Sequence, residues 1–116
     1  MNTNYHVIQV DGSVSSSSVD WPREPGYDRI KALVEPLLGK DEPLEHVSVL
    51  QHGKRADMFV SEYGHMQLTT RDPLQINPKA TAIYRNNWLT QHPGADPATL
   101  PDIAGVAVLF ERIVWF

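Results

Sequence analysis

Cysteine is absent from the 116 residues, which removes disulfides, thiolate metal ligands and thiol nucleophiles together. No apolar run approaches the roughly 18 residues that a membrane-spanning helix needs, so no membrane partner is expected. Basic charge is also scarce. Ten Lys and Arg stand against 14 Asp and Glu, for a formal net charge of −4 and a pI near 5.6. A duplex-binding surface carries a basic stripe and a high pI. Here only Lys54 and Arg55 are adjacent, which disfavours nucleic acid. The first five residues, Met1 to Tyr5, have neither a basic nor an apolar region of the kind a secretory leader needs. These absences point to the cytoplasm. Also missing are a Gly-rich phosphate loop, an HExxH pair and a Gly-x-Ser-x-Gly elbow. No cofactor is expected, and no residue is assigned a catalytic role.

What is present is an ordinary soluble composition, 41% hydrophobic and 21% charged, enough for one core over residues 1–116. Tyr5 to Val10 reads as a strand, rich in β-branched and aromatic residues, and Asp11-Gly12 ends it. Ser13 to Ser18 is a serine-rich stretch that suits a mobile loop or a weak edge strand. Tyr27, Ile30, Leu33, Val34, Leu37 and Leu38 recur at helical spacing and predict an amphipathic helix over 27–38. Pro36 should kink it or end it early, with Gly39 as the stop. Met66 to Leu68 is a short apolar run. Asn77 and Pro78 mark a second helix start, as N-cap and first helical residue, and the helix should end near Trp88 or Leu89. Three prolines and Gly94 make His92 to Asp102 a loop. Ile103 to Phe110 is nearly all apolar and predicts a central strand buried on both faces. Ile113 to Phe116 should extend it or add another strand. The order predicts an α+β fold, a mainly antiparallel sheet with two helices packed against it.

Gly53-Lys54 suits a two-residue type II′ turn between two β-like runs. Counting outward places Val49 opposite Met58, Val47 opposite Val60 and Glu45 opposite Glu62. Val47, Val49, Met58 and Val60 then share one face. Like charges directly across a hairpin repel, so Glu45 and Glu62 would hold a divalent ion, act as acid and base, or be neutralised by Arg23, Lys40 or Arg112. The neutralised, structural reading is preferred, which leaves Glu45 and Glu62 as weak metal candidates. The five histidines lack zinc-site spacing; His46 and His52 sit about 20 Å apart along an extended strand.

The binding candidates are Arg55, Glu62, Asn77, Lys79 and Arg85. The free N–H groups of a helix start attract anions, and Lys79 adds charge beside Asn77, although capping already gives Asn77 a structural role. Thr81 reads as structural, just past the first turn. Tyr84 and Trp88 read as core residues on the apolar stripe. Arg85, Asn86 and Asn87 crowd polar groups at the end of the second helix.

With Glu62, the run Asn77-Pro78-Lys79-Ala80-Thr81-Ala82-Ile83-Tyr84 and the block Ile103-Ala104-Gly105-Val106 in place, the chain resembles a family of small phage and bacterial proteins known only as a domain of unknown function. The resemblance covers roughly residues 44 to 110. The chain departs from the pattern at Glu62-Tyr63-Gly64, where two acidic residues before Gly are usual, and in a longer Trp88–Pro101 segment. The resemblance implies a host or mobile-element setting and a binding role, without a substrate or catalytic residues.

The leading expectation is therefore a non-enzymatic binding or interaction module for a protein or small ligand. One alternative is a small metal-dependent hydrolase or transferase using Glu45 and Glu62. Another is a nucleic-acid accessory protein using Lys54, Arg55, Arg71, Lys79 and Arg85.

Overall fold

The computed structural model describes residues 1–69 and 71–116. Its elements are β1 (Asn2–Ile8), β2 (Val14–Asp20), α1 (Tyr27–Leu38), β3 (Leu44–Gln51), β4 (Lys54–Ser61), α2 (Pro78–Gln91) and β5 (Ala107–Phe110), with a short 3-10 turn at Pro97–Thr99. The strands form one antiparallel sheet in the order β2-β1-β5-β4-β3. Two local hairpins thus flank β5, whose four residues are all buried.

Alternation of side chains gives the sheet two apolar faces, each covered by one helix. On one face Ile30, Val34 and Leu38 of α1 pack with Trp21, Phe59, Val108 and Phe110. On the other, Ala80 of α2, with Ile83 and Tyr84 partly buried, packs with Val49, Met58, Val60 and Leu109. The molecule has three layers, helix, sheet and helix. The expected α+β class and the shared face of Val47, Val49, Met58 and Val60 hold.

Several local expectations are corrected. The β3–β4 turn is His52-Gly53, with φ of 53° and 77°. Positive φ at both positions is a type I′ turn, which matches strand twist better than the expected Gly53-Lys54 turn. The register moves by two residues, so Val47 faces Met58, Val49 faces Ala56 and Glu45 faces Val60. A two-residue shift preserves faces, which is why the apolar set survived while the partners changed.

Of the two readings of the serine-rich stretch the edge strand holds: Val14–Ser18 belong to β2, an edge strand that pairs along all seven residues with β1. Only 107–110 of the expected long strand are extended pairing, because Ile103 and Ala104 instead serve the start of α2, with Ala104 bridged to Ile76. The short run Met66–Leu68 contributes a single bridge from Leu68 to Arg71. Residues 113–116 form no strand, since Asp57 binds that segment through its side chain. Pro36 lies inside α1, which runs two residues further. Ala32 and Pro36 are exposed, so water satisfies the carbonyl that Pro36 cannot. Tyr27, expected on the buried stripe, is 51% exposed at the first turn of α1.

Candidate functional site

The expected site residues are dispersed, and most are committed to holding the fold. Asn77 is fully buried. Its Nδ2 donates to the carbonyls of Ile8 at 3.0 Å and Gly105 at 2.9 Å, and its Oδ1 accepts from the Ala80 amide at 3.1 Å. One side chain thus joins β1, the segment just before β5 and α2, which leaves no group for a ligand. Thr81 Oγ1 accepts from the Ile103 amide at 2.9 Å and completes the same junction. Lys79 Nζ reaches the Gly12 carbonyl at 2.9 Å, tying α2 to the β1–β2 turn.

Arg85 pairs with Asp102 at 2.8 Å and also donates to the Leu100 carbonyl. Arg55 donates to Ser48 Oγ across the hairpin at 3.0 Å. Arg71 meets the buried Glu42 with Nε and Nη2, at 2.5 and 2.9 Å, and donates to the carbonyls of Met66, Tyr63 and Asp72. All five guanidinium donors are used. Ser61 Oγ donates to the same Glu42 carboxylate. Four of the five basic residues named for nucleic acid therefore have intramolecular partners.

Glu45 and Glu62 are not cross-strand partners. The Glu62 amide donates to the Pro43 carbonyl at 2.8 Å, which puts Glu62 beyond the end of β4. Both glutamates are exposed and line a shallow 170 Å³ cleft with His65, Tyr84 and Asp102. They meet on the diagonal rather than face to face, where repulsion is weaker. Arg112, one of the expected neutralisers, is engaged elsewhere. It donates to Thr3 Oγ1 and to the carbonyls of Pro22 and Arg23. Among the described residues, no group of three His, Cys, Asp or Glu is placed to hold a metal ion.

What singles out one part of the surface is the contrast between the two sheet edges. In the β1–β2 ladder, hydrogen bonds link Met1 with Trp21 and Gln9 with Ser13. Alternation then makes the odd-numbered residues of β2 face β1, so the N–H and C=O groups of Val14, Ser16, Ser18 and Asp20 point off the sheet. Among the described residues none of these groups has a hydrogen-bond partner. At the opposite edge, the outward groups belong to Leu44, His46, Ser48 and Leu50 by the same logic. There Glu35 Oε2 accepts the Leu44 amide at 3.0 Å, and Asn87 Nδ2 caps the Ser48 carbonyl at 2.8 Å. The fold blunts the β3 edge and leaves the β2 edge open.

Beside that open edge lies the half of the sheet that α2 does not cover, because α2 packs over β3. It displays Asn4, His6, Ser16, Ser18 and Glu111 around a 420 Å³ groove. His6 Nδ1 lies 2.7 Å from Ser16 Oγ, and Nε2 lies 2.8 Å from Glu111 Oε1. Asn4 Nδ2 donates to Glu111 Oε2 at 3.1 Å. These hydrogen bonds, the one from His6 foremost, hold the Glu111 carboxyl below its ordinary range.

Sequence reasoning missed this cluster. Its members lie on three separate strands or strand ends, and only the order β2-β1-β5 brings them together. The run of serines was the one signal that could have pointed there. No family model, curated protein or solved structure matches the chain.

Proposed function

We propose that the protein is a binding module that recognises an extended segment of a partner protein by adding it as a sixth strand beside β2. The observation that carries this reading is the unpartnered outward backbone of Val14, Ser16, Ser18 and Asp20, set against a β3 edge where side chains cap the Leu44 amide and the Ser48 carbonyl. Long open edges are otherwise suppressed by proline, lysine, bulges or covering loops. β2 has none of these over its seven residues, Val-Ser-Ser-Ser-Ser-Val-Asp. Small serine side chains let a second backbone approach, and main-chain hydrogen bonds supply affinity. The side chains of β2 itself, Val14, Ser16 and Ser18 on one face and Ser15, Ser17 and Val19 on the other, flank the added strand and supply the side-chain preference. A phage- or mobile-element setting accompanies this reading and rests on the resemblance alone, and a cytoplasmic one rests on the composition.

Proline scanning of the edge tests it. Proline at Ser16 or Ser18 removes only an outward N–H, because those residues do not pair with β1 through that group. Peptides selected from a displayed library against the native protein should lose binding to Ser16→Pro and Ser18→Pro. They should retain it with Tyr63→Ala, on the distant β4–α2 connection. On complex formation, the amides of Ser16 and Ser18 should become protected from hydrogen exchange. Peptides that bind both proline variants as tightly as the native protein would refute the proposal.

A further inference from the structure

The uncovered sheet face places a serine, a histidine and a carboxylate in one hydrogen-bonded line, Ser16 Oγ to His6 Nδ1 at 2.7 Å and His6 Nε2 to Glu111 Oε1 at 2.8 Å. The proton positions follow from chemistry. A carboxylate only accepts, so the His6 Nε2 facing it carries the hydrogen. In the neutral ring Nδ1 is then the bare nitrogen, and it accepts the Ser16 hydroxyl proton. Asn4 fixes the carboxylate from its other oxygen at 3.1 Å. The serine is therefore already hydrogen-bonded to a base, and the base is oriented by a third group. The two ring nitrogens are exchanged relative to the serine-protease arrangement, and either nitrogen of a neutral imidazole can take a proton.

We propose that Ser16 is a nucleophile that takes an acyl group from small, uncharged carboxylic esters, with His6 as base and Glu111 as the residue that positions it. Ser16 Oγ bonds to the ester carbonyl carbon while its proton passes to His6 Nδ1. The bond to the alkoxide leaving group then breaks, and that alkoxide takes the proton from Nδ1. A solvent water repeats the sequence on the acyl-serine. It gives its proton to Nδ1, Ser16 Oγ recovers that proton, and a carboxylic acid leaves.

The amide of Ser16 itself points off the open edge without a partner, a free donor on the nucleophile's own residue. The substrate is small because the groove is a shallow strip of sheet. It is uncharged because the Glu111 carboxylate in the groove repels anions. This activity goes beyond strand addition and does not depend on it.

The test uses p-nitrophenyl acetate on the whole protein. The expected result is a burst of nitrophenolate, with a 42 Da acetyl adduct mapped to Ser16 (the mass of a transferred acetyl group, about 42 Da, follows from the bond made). Ser16→Ala should lose both the burst and the adduct. His6→Gln should slow acylation at least about a hundredfold. Glu111→Gln should slow it as well, with thermal melts confirming that each variant is folded. The proposal is overturned by acetyl found only on Met1, lysines or His6, by an unchanged rate in His6→Gln, or by no burst at all.

Discussion

His46 Nε2 lies 2.6 Å from Asp57 Oδ1, and the other oxygen of that carboxylate accepts the amides of Val114 and Trp115, each at 2.8 Å. One buried carboxylate on β4 thereby fixes a strand neighbour and the segment that follows β5. The His46 ring also stacks on Trp115, with centroids 5.2 Å apart. This is why residues 113–116 need no strand pairing to stay in place.

Asp57→Asn is expected to lower stability by about 3 kcal/mol at neutral pH, since a charged acceptor of three donors becomes a neutral, partly mismatched one. Burial raises the pKa of Asp57, but the hydrogen bonds from His46, Trp115 and Val114 outweigh it, and the net shift is downward. A depressed folded pKa means the stabilisation is full above the unfolded value of about 3.9 and is lost as pH falls below it. Urea melts at pH 7 and pH 3 check this. The gap between native and Asp57→Asn should be wide at the first and narrow at the second.

Asn77→Ala should cost about 3 kcal/mol, well above the roughly 1 kcal/mol of a simple helix cap, because two buried carbonyls and one buried amide lose their partner. Asn77→Asp should be no better, as it turns two donor contacts into repulsion against the Ile8 and Gly105 carbonyls. Equilibrium denaturation of both variants decides the matter.

Arg71→Lys should behave like Arg71→Ala, because a single ammonium cannot replace five directed donors. Leaving Glu42 buried and unpaired should cost about 3–5 kcal/mol. Limited proteolysis should show the first new cuts between Glu62 and Ile76, the connection that Arg71 gathers.

Cysteines at Leu50 and Arg55 should form a disulfide readily, since these residues face each other in a non-hydrogen-bonded pair. Cysteines at His52 and Arg55, partners in the register expected from Gly53-Lys54, should not. Gly53→Ala should cost about 1 kcal/mol through its φ of 77°. Mass spectrometry after mild oxidation and a thermal melt read the two outcomes.

Local pattern carried much of the fold. The Tyr27–Leu38 periodicity, the Asn77-Pro78 start and the apolar alternation around Met58 are each decided by neighbours within a few residues. The β3–β4 turn failed because Gly at either of two positions satisfies some hairpin turn, and only the paired strands decide between them. The site was hidden for a different reason. Glu111 lies 105 residues from His6, and no spacing rule reports a contact made by strand order alone. Arg71 and Asn77 look available in sequence because their partners are mainly backbone carbonyls, which carry no residue-type signal.

The placement of β5 between the two hairpins bears on how fast the chain reaches this structure. β1 and β2, and β3 and β4, can zip locally, but the centre joins Tyr5 to Phe110 and Met58 to Leu109. Until that strand docks, each hairpin has two bare edges and an apolar face without its middle. Joining residues so distant raises contact order, which slows folding and prolongs the interval in which bare edges can find one another. Dilution and low temperature during refolding should therefore raise the yield of correctly folded protein.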